Sequence, residues 1–341
     1  MNFSSAEALR KAVLPQAKAE HKALRLLYMG SPDFAVPPFK ALLQEGYRLI
    51  ACATQPDRPV GRKQKLTPTP LKQAAAEAGL PVYSWTSLKK QEAREELRSL
   101  KPDLIITAAY GLILPPEILA LPLYGSINLH PSKLPLYRGA SPVQSAILAG
   151  EKETAASLMR MAEGLDSGPL IASVNFPLGR LSAAEAEARL AELSAELLVK
   201  VLPSFLSGEI QELPQDEAHA VYCGKLSRAD GALDFSRSAA ELDAQIRALQ
   251  PWPGTFAYYR GEKHKVLEAE ILPEDQASQP GEILRADKEL WLATGQGILK
   301  ILRLQLPSGK ILPAADCAHN FQQNEFFVSG DSPQALKGDH S

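Results

Sequence analysis

The first half of the chain alternates short, mostly apolar runs with stretches in which apolar residues recur at helical spacing. The runs of strand length are Leu24–Met29, Arg48–Thr54, Asp103–Ala108 and Ser126–Leu129. The stretches with helical spacing are Phe34–Glu45, Pro70–Ala78, Leu88–Leu100 and Ser141–Leu148. A run that is apolar almost throughout, such as Asp103–Ala108, is typical of a sheet with both faces covered. The pattern therefore predicts an α/β fold with a doubly wound, mostly parallel, Rossmann-like sheet.

The pattern changes after Asp166. Leu170–Phe176 predicts a strand, Ala183–Leu202 predicts a long helix, and the weak periodicity of Pro203–Gln215 predicts a linker. Ala239–Leu249 predicts a further helix. The short strand candidates after it are Thr255–Tyr259, Lys265–Ala269, Gly281–Ala286, Leu290–Ala293 and Ile298–Leu304. Short strands separated by turn signals predict a smaller C-terminal β-barrel of the OB-like type.

The length of 341 residues favours two domains over one. The predicted parts are an N-terminal extension (1–23), the α/β domain (24–206), a linker (207–219), the C-terminal barrel (220–330) and a tail (331–341). The extension lacks the apolar segment of a secretory signal, and its glutamates and scarce arginine disfavour a transit peptide. We expect it to be a surface helix or a flexible extension.

Composition narrows the class of protein. Hydrophobic residues make up 45% of the chain and charged residues 22%, as in ordinary globular enzymes, and no apolar run is long enough to cross a membrane. Cys52, Cys223 and Cys317 are widely separated and odd in number, which favours a reducing, cytoplasmic compartment over disulfides or a zinc site. The net charge of −2 means that any nucleic-acid contact requires a local basic patch.

Asn128 and His130 are the first candidates for chemistry. They lie two residues apart at the end of a predicted strand, so their side chains point to the same face. Ligands of open α/β sheets bind at the carboxyl ends of the strands. An amide and an imidazole there are able to stabilise the negative charge that develops on a carbonyl oxygen during acyl transfer. The alternative is that His130 caps the strand and Asn128 bonds to nearby backbone.

Asp166 is a candidate proton acceptor. It lies in a loop between Gly164 and Gly168, and such a loop lets a carboxylate approach a site closely. A carboxylate beside His130 would also stabilise a charged imidazole. The alternative is an Asx-turn, which the sequence Asp-Ser-Gly satisfies equally well.

These residues, with the segment Ser132–Pro135 and with Arg138-Gly139, resemble the signature of the folate-dependent formyltransferases. The resemblance implies that Asn128, His130 and Asp166 are catalytic, that 10-formyltetrahydrofolate is the co-substrate, and that no metal is needed. It also implies a folate site. Its residues would be Ser132, Lys133, Leu134 and Pro135, with Lys133 replacing a more usual leucine, together with Tyr110, Gly111, Leu112 and Ile113 on the pterin side. The alternative for the last four is a helix entry with buried aliphatic residues.

A basic segment distinguishes one branch of that family. Five cations and one anion lie between Pro56 and Lys72. This segment, with Gly30–Ala35, Tyr222–Ser227 and Arg247–Gly254, resembles the branch whose formyl acceptor is methionyl-tRNA. The resemblance implies that the C-terminal barrel binds tRNA and that phosphates contact Arg58, Arg62, Lys63 and Lys65. The alternative is a solvated surface loop, and for Trp252 we expect packing between its neighbouring prolines rather than base stacking.

The resemblance implies formylation of initiator methionyl-tRNA for translation initiation, by direct attack of the methionyl amine. Asn128 and His130 would stabilise the oxyanion, and Asp166 would transfer the proton. Glycinamide ribonucleotide, an amino sugar of a nucleotide, or water remain alternative acceptors, and an RNA-binding scaffold without activity remains the non-enzymatic alternative. We expect a monomer that does not bind membranes.

Overall fold

The computed structural model describes residues 21–60, 64–272 and 278–329. The helices in these ranges are α1 (Val36–Gln44), α2 (Pro70–Glu77), α3 (Gln91–Ser99), α4 (Pro116–Leu119), α5 (Pro142–Leu148), α6 (Ala183–Leu206), α7 (Ala239–Leu249) and α8 (Ala314–Cys317). The strands up to residue 223 are β1 (Leu26–Gly30), β2 (Leu49–Ala53), β3 (Arg58–Val60), β4 (Lys65–Thr67), β5 (Val82–Tyr83), β6 (Leu104–Ala108), β7 (Ser126–His130), β8 (Arg138–Gly139), β9 (Glu153–Arg160), β10 (Leu170–Pro177) and β11 (Tyr222–Cys223). Those after it are β12 (Thr255–Tyr259), β13 (Glu262–Leu272), β14 (Ile283–Ala286), β15 (Leu290–Ala293), β16 (Ile298–Gln305), β17 (Ile311–Pro313) and β18 (Phe327–Val328).

The chain divides into two compact units. The first contains residues 1–142, 153–177 and 187–223, and the second contains 143–152, 178–186 and 224–341. The predicted N-terminal extension and tail lie largely outside the described residues. Within the described residues, no helix combines the length and apolar character that a membrane span requires.

The first unit is built on a sheet with the strand order β10-β9-β7-β6-β1-β2-β5. The strands from β7 to β5 are parallel, and β9 and β10 add an antiparallel edge. Every residue of β1 and β6 is buried, as expected when both faces of the sheet are covered. The predicted fold class, a mostly parallel Rossmann-like sheet, is confirmed.

The strand order reverses between β1 and β6, because the chain proceeds from β1 to one side and from β6 to the other. Open α/β sheets bind their ligands in the crevice at such a reversal, outside the carboxyl ends of the strands. The segments that leave β1, β6 and β7 at this edge begin at Ser31, Ala109 and Pro131. The topology therefore places the candidate site at this edge of the sheet.

Helix α6 is longer than the sequence predicts. It passes through Pro203 and ends at Leu206, whereas Pro203–Gln215 was expected to be a linker. Proline lacks one helical hydrogen bond, but Leu202, Phe205 and Leu206 are buried, and this packing favours continuation of the helix to its last turn. The segment that follows belongs to the first unit: Leu213 exchanges two backbone hydrogen bonds with Leu170, each 2.8 Å long.

The second unit contains α7 and a curled antiparallel sheet. Ser238 and Glu241 form a capping box at the start of α7, which fixes where the helix begins. The sheet has the order β14-β15-β16-β13-β12-β18, with β17 beside β16. An isolated bridge between Glu282 and Phe326 connects its two ends around an apolar core. Trp252 is 56% exposed, and its packing between the neighbouring prolines stays a prediction.

Candidate active site

Asn128 and His130 lie on β7 at the carboxyl edge of the sheet. In the parallel pairing of β6 with β7, Thr107 lies opposite Asn128. The Thr107 hydroxyl donates a 2.7 Å hydrogen bond to Asn128 Oδ1. Because the amide oxygen is bound in this way, the NH₂ group of Asn128 is turned away from Thr107 and is the part of the amide available to a ligand.

His130 is 4% exposed, and its two ring nitrogens face different groups. Nε2 lies 3.0 Å from the carbonyl oxygen of Tyr137. A carbonyl only accepts hydrogen bonds, so Nε2 carries a proton and donates. Nδ1 lies 3.7 Å from Asp166 Oδ2, which is too long for a hydrogen bond but is an ion-pair distance when the ring is protonated. Nδ1 carries a hydrogen only when the ring is charged, and in that state it is the donor that remains for a substrate.

The loop that carries Asp166 is tightly constrained. Asp166 has φ 47°, in the left-handed region that Asp tolerates better than most residues. Its Oδ2 accepts a 2.9 Å hydrogen bond from the backbone N–H of Gly139. A Cβ atom on Gly168 would lie 1.9 Å from the carbonyl oxygen of Arg160, so only glycine fits there. The structure thus brings Asp166 to His130 by fixing both the loop and the carboxylate.

The predicted folate segment follows β7 directly. Ser132 is fully buried and its hydroxyl donates to the carbonyl oxygen of Leu136 at 2.6 Å, so it shapes the turn from within. Leu134 is buried and is joined to Pro135 by a cis peptide bond. Lys133 points outward and pairs with Glu153. The segment therefore lies beside His130, with Lys133 as its exposed cation.

The other predicted folate segment, Tyr110–Ile113, leaves β6 at the strand-order reversal. The carbonyl oxygen of Tyr110 accepts hydrogen bonds from Ser31 Oγ at 3.3 Å and from Gln55 Nε2 at 3.2 Å. Burial raises the pKa of the Tyr110 phenol, and its hydroxyl has no hydrogen-bond partner among the described residues. Gly111 has φ 83°, Leu112 is half-buried and Ile113 is 79% exposed. The expected burial of aliphatic residues at a helix entry does not hold for Ile113.

The basic segment forms a β-hairpin, in which β3 pairs with β4. Arg58 begins β3 and donates a 3.1 Å hydrogen bond to Gln55 Oε1, while Lys65 begins β4 and is exposed. Gln55 therefore connects the base of the hairpin to the Tyr110 segment. Arg62 and Lys63 lie outside the described residues. Lys72 is paired with Asp57 at 2.8 Å, so it is not an unpaired cation of this surface.

Comparison with known proteins gives the family. Residues 24–202 match the formyl transferase family, and residues 225–322 match the formyl transferase C-terminal domain. The chain belongs to the formyl transferase family.

Two relatives of this formyl transferase are named methionyl-tRNA formyltransferase. The one from Marinobacter nauticus is 40% identical over 88% of this chain and 97% of its own length. The one from Ectopseudomonas mendocina is 43% identical over 89% of this chain and 96% of its own length.

A solved structure shows the same fold. The N-formyltransferase from Helicobacter canadensis, in complex with folinic acid and dTDP-3-aminofucose, has a TM-score of 0.64 with this formyl transferase. The match covers 82% of this chain and 98% of that chain at 18% identity. At this identity the likeness concerns the fold alone.

Some residues that orient the candidate groups of this formyl transferase are not apparent in its sequence. Thr107 is the one polar residue in the apolar run of β6, which is a weak signal. Gln215 donates to the carbonyl oxygens of Asp166 and Gly168, and it lies in a segment with no periodicity. Tyr137 and Gly139 act through backbone groups, so the identity of their side chains does not reveal these two contacts.

Proposed function

We propose that this formyl transferase moves the formyl group of 10-formyltetrahydrofolate onto the α-amino group of methionine carried by initiator tRNA. The observation that carries the chemistry is the arrangement of Asn128, His130 and Asp166 at the carboxyl edge of the sheet, with His130 Nδ1 3.7 Å from Asp166 Oδ2. The acceptor is supported by the relatives named methionyl-tRNA formyltransferase, which match nearly the whole of their own length.

The reaction requires one bond to form and one to break. The amine nitrogen attacks the formyl carbon, a tetrahedral intermediate carries negative charge on its oxygen, and the bond from that carbon to N10 of the folate then breaks. The amine loses a proton and N10 gains one. The NH₂ of Asn128 and Nδ1–H of His130 are the donors available to the oxyanion, and the carboxylate of Asp166 accepts the proton from the amine and returns it towards N10.

Co-substrate binding is assigned to the two segments at the same edge. The backbone groups of Tyr110–Ile113 would contact the pterin, and Ser132–Pro135 would contact the rest of the folate, with Lys133 near the site. The exposed cations Arg58 and Lys65 on the hairpin would contact tRNA phosphates, which position a nucleic acid without reading its sequence. The C-terminal unit would provide further tRNA contacts.

The test is a competition between acceptors. Purified protein is given 10-formyltetrahydrofolate with methionyl-tRNA, glycinamide ribonucleotide, an amino-sugar nucleotide or water alone, and the formylated product is measured. Fast transfer to methionyl-tRNA that is lost in Asp166→Ala is the expected result. Transfer only to a small molecule or to water would reject the proposed acceptor, and full activity of Asp166→Ala would reject the proposed site.

A further inference from the structure

Gln215 lies in the segment between α6 and β11 and is only 8% exposed. Its amide nitrogen donates to the carbonyl oxygen of Asp166 at 2.9 Å and to that of Gly168 at 2.7 Å. Its amide oxygen accepts from Arg138 Nε at 3.1 Å and from Arg138 Nη2 at 2.9 Å. A glutamine amide has two hydrogens and one oxygen with two lone pairs, so every hydrogen-bonding position of this side chain is used.

Arg138 gives this arrangement a fixed support. The side chain is fully buried, and Glu217 accepts from Nη1 at 2.8 Å and from Nη2 at 2.7 Å. These hydrogen bonds raise the pKa of Arg138 and lower that of Glu217, so both remain charged. Two hydrogen bonds to Glu217 and two to Gln215 hold the planar guanidinium in one orientation, and Gln215 is held with it.

The two ends of this network meet at Asp166. Gln215 binds its backbone carbonyl, and the residue after Arg138, Gly139, donates its N–H to Oδ2 of the Asp166 carboxylate at 2.9 Å. Gly139 is itself held by the pairing of β8 with β11. A Cβ atom at Gly139 would lie 2.1 Å from the carbonyl oxygen of Cys223, so the two strands pack in direct contact.

Asp166 needs such support because its conformation is unfavourable on its own. The left-handed region costs most L-residues roughly 1–2 kcal/mol and Asp somewhat less, and Asp166 occupies it with φ 47°. A relaxed loop would move the carboxylate away from its position 3.7 Å from His130 Nδ1. Misplacement by about 1 Å is enough to reduce a catalysed rate by about 10²-fold.

We propose that Gln215 is a positioning residue, which transmits the fixed orientation of Arg138 to the loop of Asp166 and so sets the distance between that carboxylate and His130. This inference rests on the proposed function of Asp166. It predicts that Gln215 influences turnover through Asp166 alone, and that it contributes nothing once the carboxylate is removed.

The variant Gln215→Glu removes the hydrogen bonds to the Asp166 loop and keeps those from Arg138. Glutamate keeps the length of the side chain and its acceptors for Arg138, but it replaces the amide donors by a carboxylate oxygen that faces two carbonyl oxygens. We expect kcat to fall about 10- to 100-fold, with KM for methionyl-tRNA and for the folate within about threefold of wild type.

Gln245→Glu is the matched control. Gln245, in the second unit, is 5% exposed and also donates to two backbone carbonyl oxygens, those of Asp230 at 2.8 Å and Ala232 at 3.0 Å. The same chemical change is expected to lower the unfolding temperature there without changing kcat. A fall in kcat for this variant equal to that of Gln215→Glu would show a general effect of instability and would overturn the proposal.

The double variant Asp166→Ala/Gln215→Glu decides between positioning and a purely structural role. The comparison uses residual single-turnover rates measured at high enzyme concentration. If Gln215 acts through Asp166, the double variant matches Asp166→Ala within about threefold; if the losses multiply, the proposal is overturned. Wild-type kcat in Gln215→Glu, with the rate of Asp166→Ala strongly reduced, would also overturn it while the proposed function stands. An active Asp166→Ala would instead reject the proposed function. Gln215→Met repeats the cycle if the glutamate variant does not fold.

Discussion

A substitution at Thr107 tests whether the orientation of the Asn128 amide matters for turnover. Thr107→Val replaces the hydroxyl that donates to Asn128 Oδ1 at 2.7 Å by a methyl group of similar size. The amide oxygen then loses its partner, and the NH₂ group is no longer held towards the substrate. The hydroxyl also lies 3.2 Å from the carbonyl oxygen of Ile127. The backbone pairing of β6 with β7 does not involve this side chain, and we expect it to be retained.

The size of the effect follows from the geometry. A lost neutral hydrogen bond costs about 0.5–1.5 kcal/mol, and an acceptor left unpaired adds to this. If about 1–2 kcal/mol of that cost falls on the transition state, turnover decreases about 5- to 30-fold. The loss must remain smaller than that of Asn128→Ala, which removes the donor itself and should cost about 10²–10³-fold. KM for both substrates should change little, because the interaction strengthens as the oxyanion forms.

Thr154→Val provides the control in the same sheet. Thr154 lies in β9 and is 1% exposed, and its hydroxyl has no hydrogen-bond partner among the described residues. Removing that hydroxyl leaves no acceptor unpaired, so kcat should be unchanged and the unfolding temperature equal or higher. The assay is the single-turnover rate of formyl transfer to methionyl-tRNA at saturating folate. A Thr107→Val rate within twofold of wild type, beside a large loss in Asn128→Ala, would refute the role of Thr107.

Three further predictions concern other parts of the molecule. Asn128→Ala should lower turnover by about 10²-fold or more while tRNA affinity, measured by filter binding, is retained; a rate within threefold of wild type would remove Asn128 from the mechanism. Arg58→Ala should weaken tRNA binding and reduce the salt dependence of the binding constant by about one ion, whereas Lys89→Ala, another exposed cation, should not; equal effects would argue against a specific surface. Because Arg138 lowers the pKa of Glu217, their pair stabilises the fold above the ordinary glutamate pKa of 4.5 and loses this contribution as the pH falls below it. The free energy of unfolding, measured by circular dichroism at several pH values, should thus decrease less with falling pH in Glu217→Gln than in the wild type. The same pH dependence in both proteins would contradict the pair's role.

Local patterns predicted much of the fold because they follow from burial. β1 and β6 are continuous apolar runs, and α7 has the bounds that its spacing predicts. The antiparallel strand β9 was not predicted: its inner positions are buried, but Ala and Ser supply much of them, so neither alternation nor β-propensity marks it. The hairpin of β3 and β4 was not predicted for a related reason, since Pro59 and its basic neighbours have a low propensity for strands.

The candidate site was predictable only where its residues are close in sequence. The spacing of Asn128 and His130 follows from the period of a strand, so it is visible in the sequence. The contact of Thr107 with Asn128 spans 21 positions, and that of Gln215 with Asp166 spans 49. No local pattern reports a hydrogen bond over such a separation, and for Tyr137 and Gly139 the interacting atoms belong to the backbone, which every residue shares.

The three candidate catalytic side chains are each oriented by a group that is distant in sequence or belongs to the backbone. Asn128 is oriented by the hydroxyl of Thr107, His130 by the carbonyl oxygen of Tyr137, and Asp166 by the N–H of Gly139 and the amide of Gln215. Each of the three groups is thus fixed before substrate binds, by partners that are themselves held in buried strands or paired segments. In the proposed mechanism, donors that are already oriented need not reorganise when charge develops, and this would be the source of their effect on the rate. Substitutions of the orienting groups should therefore reduce kcat more than they raise KM, whereas substitutions of the hairpin cations should raise KM for tRNA and leave kcat unchanged.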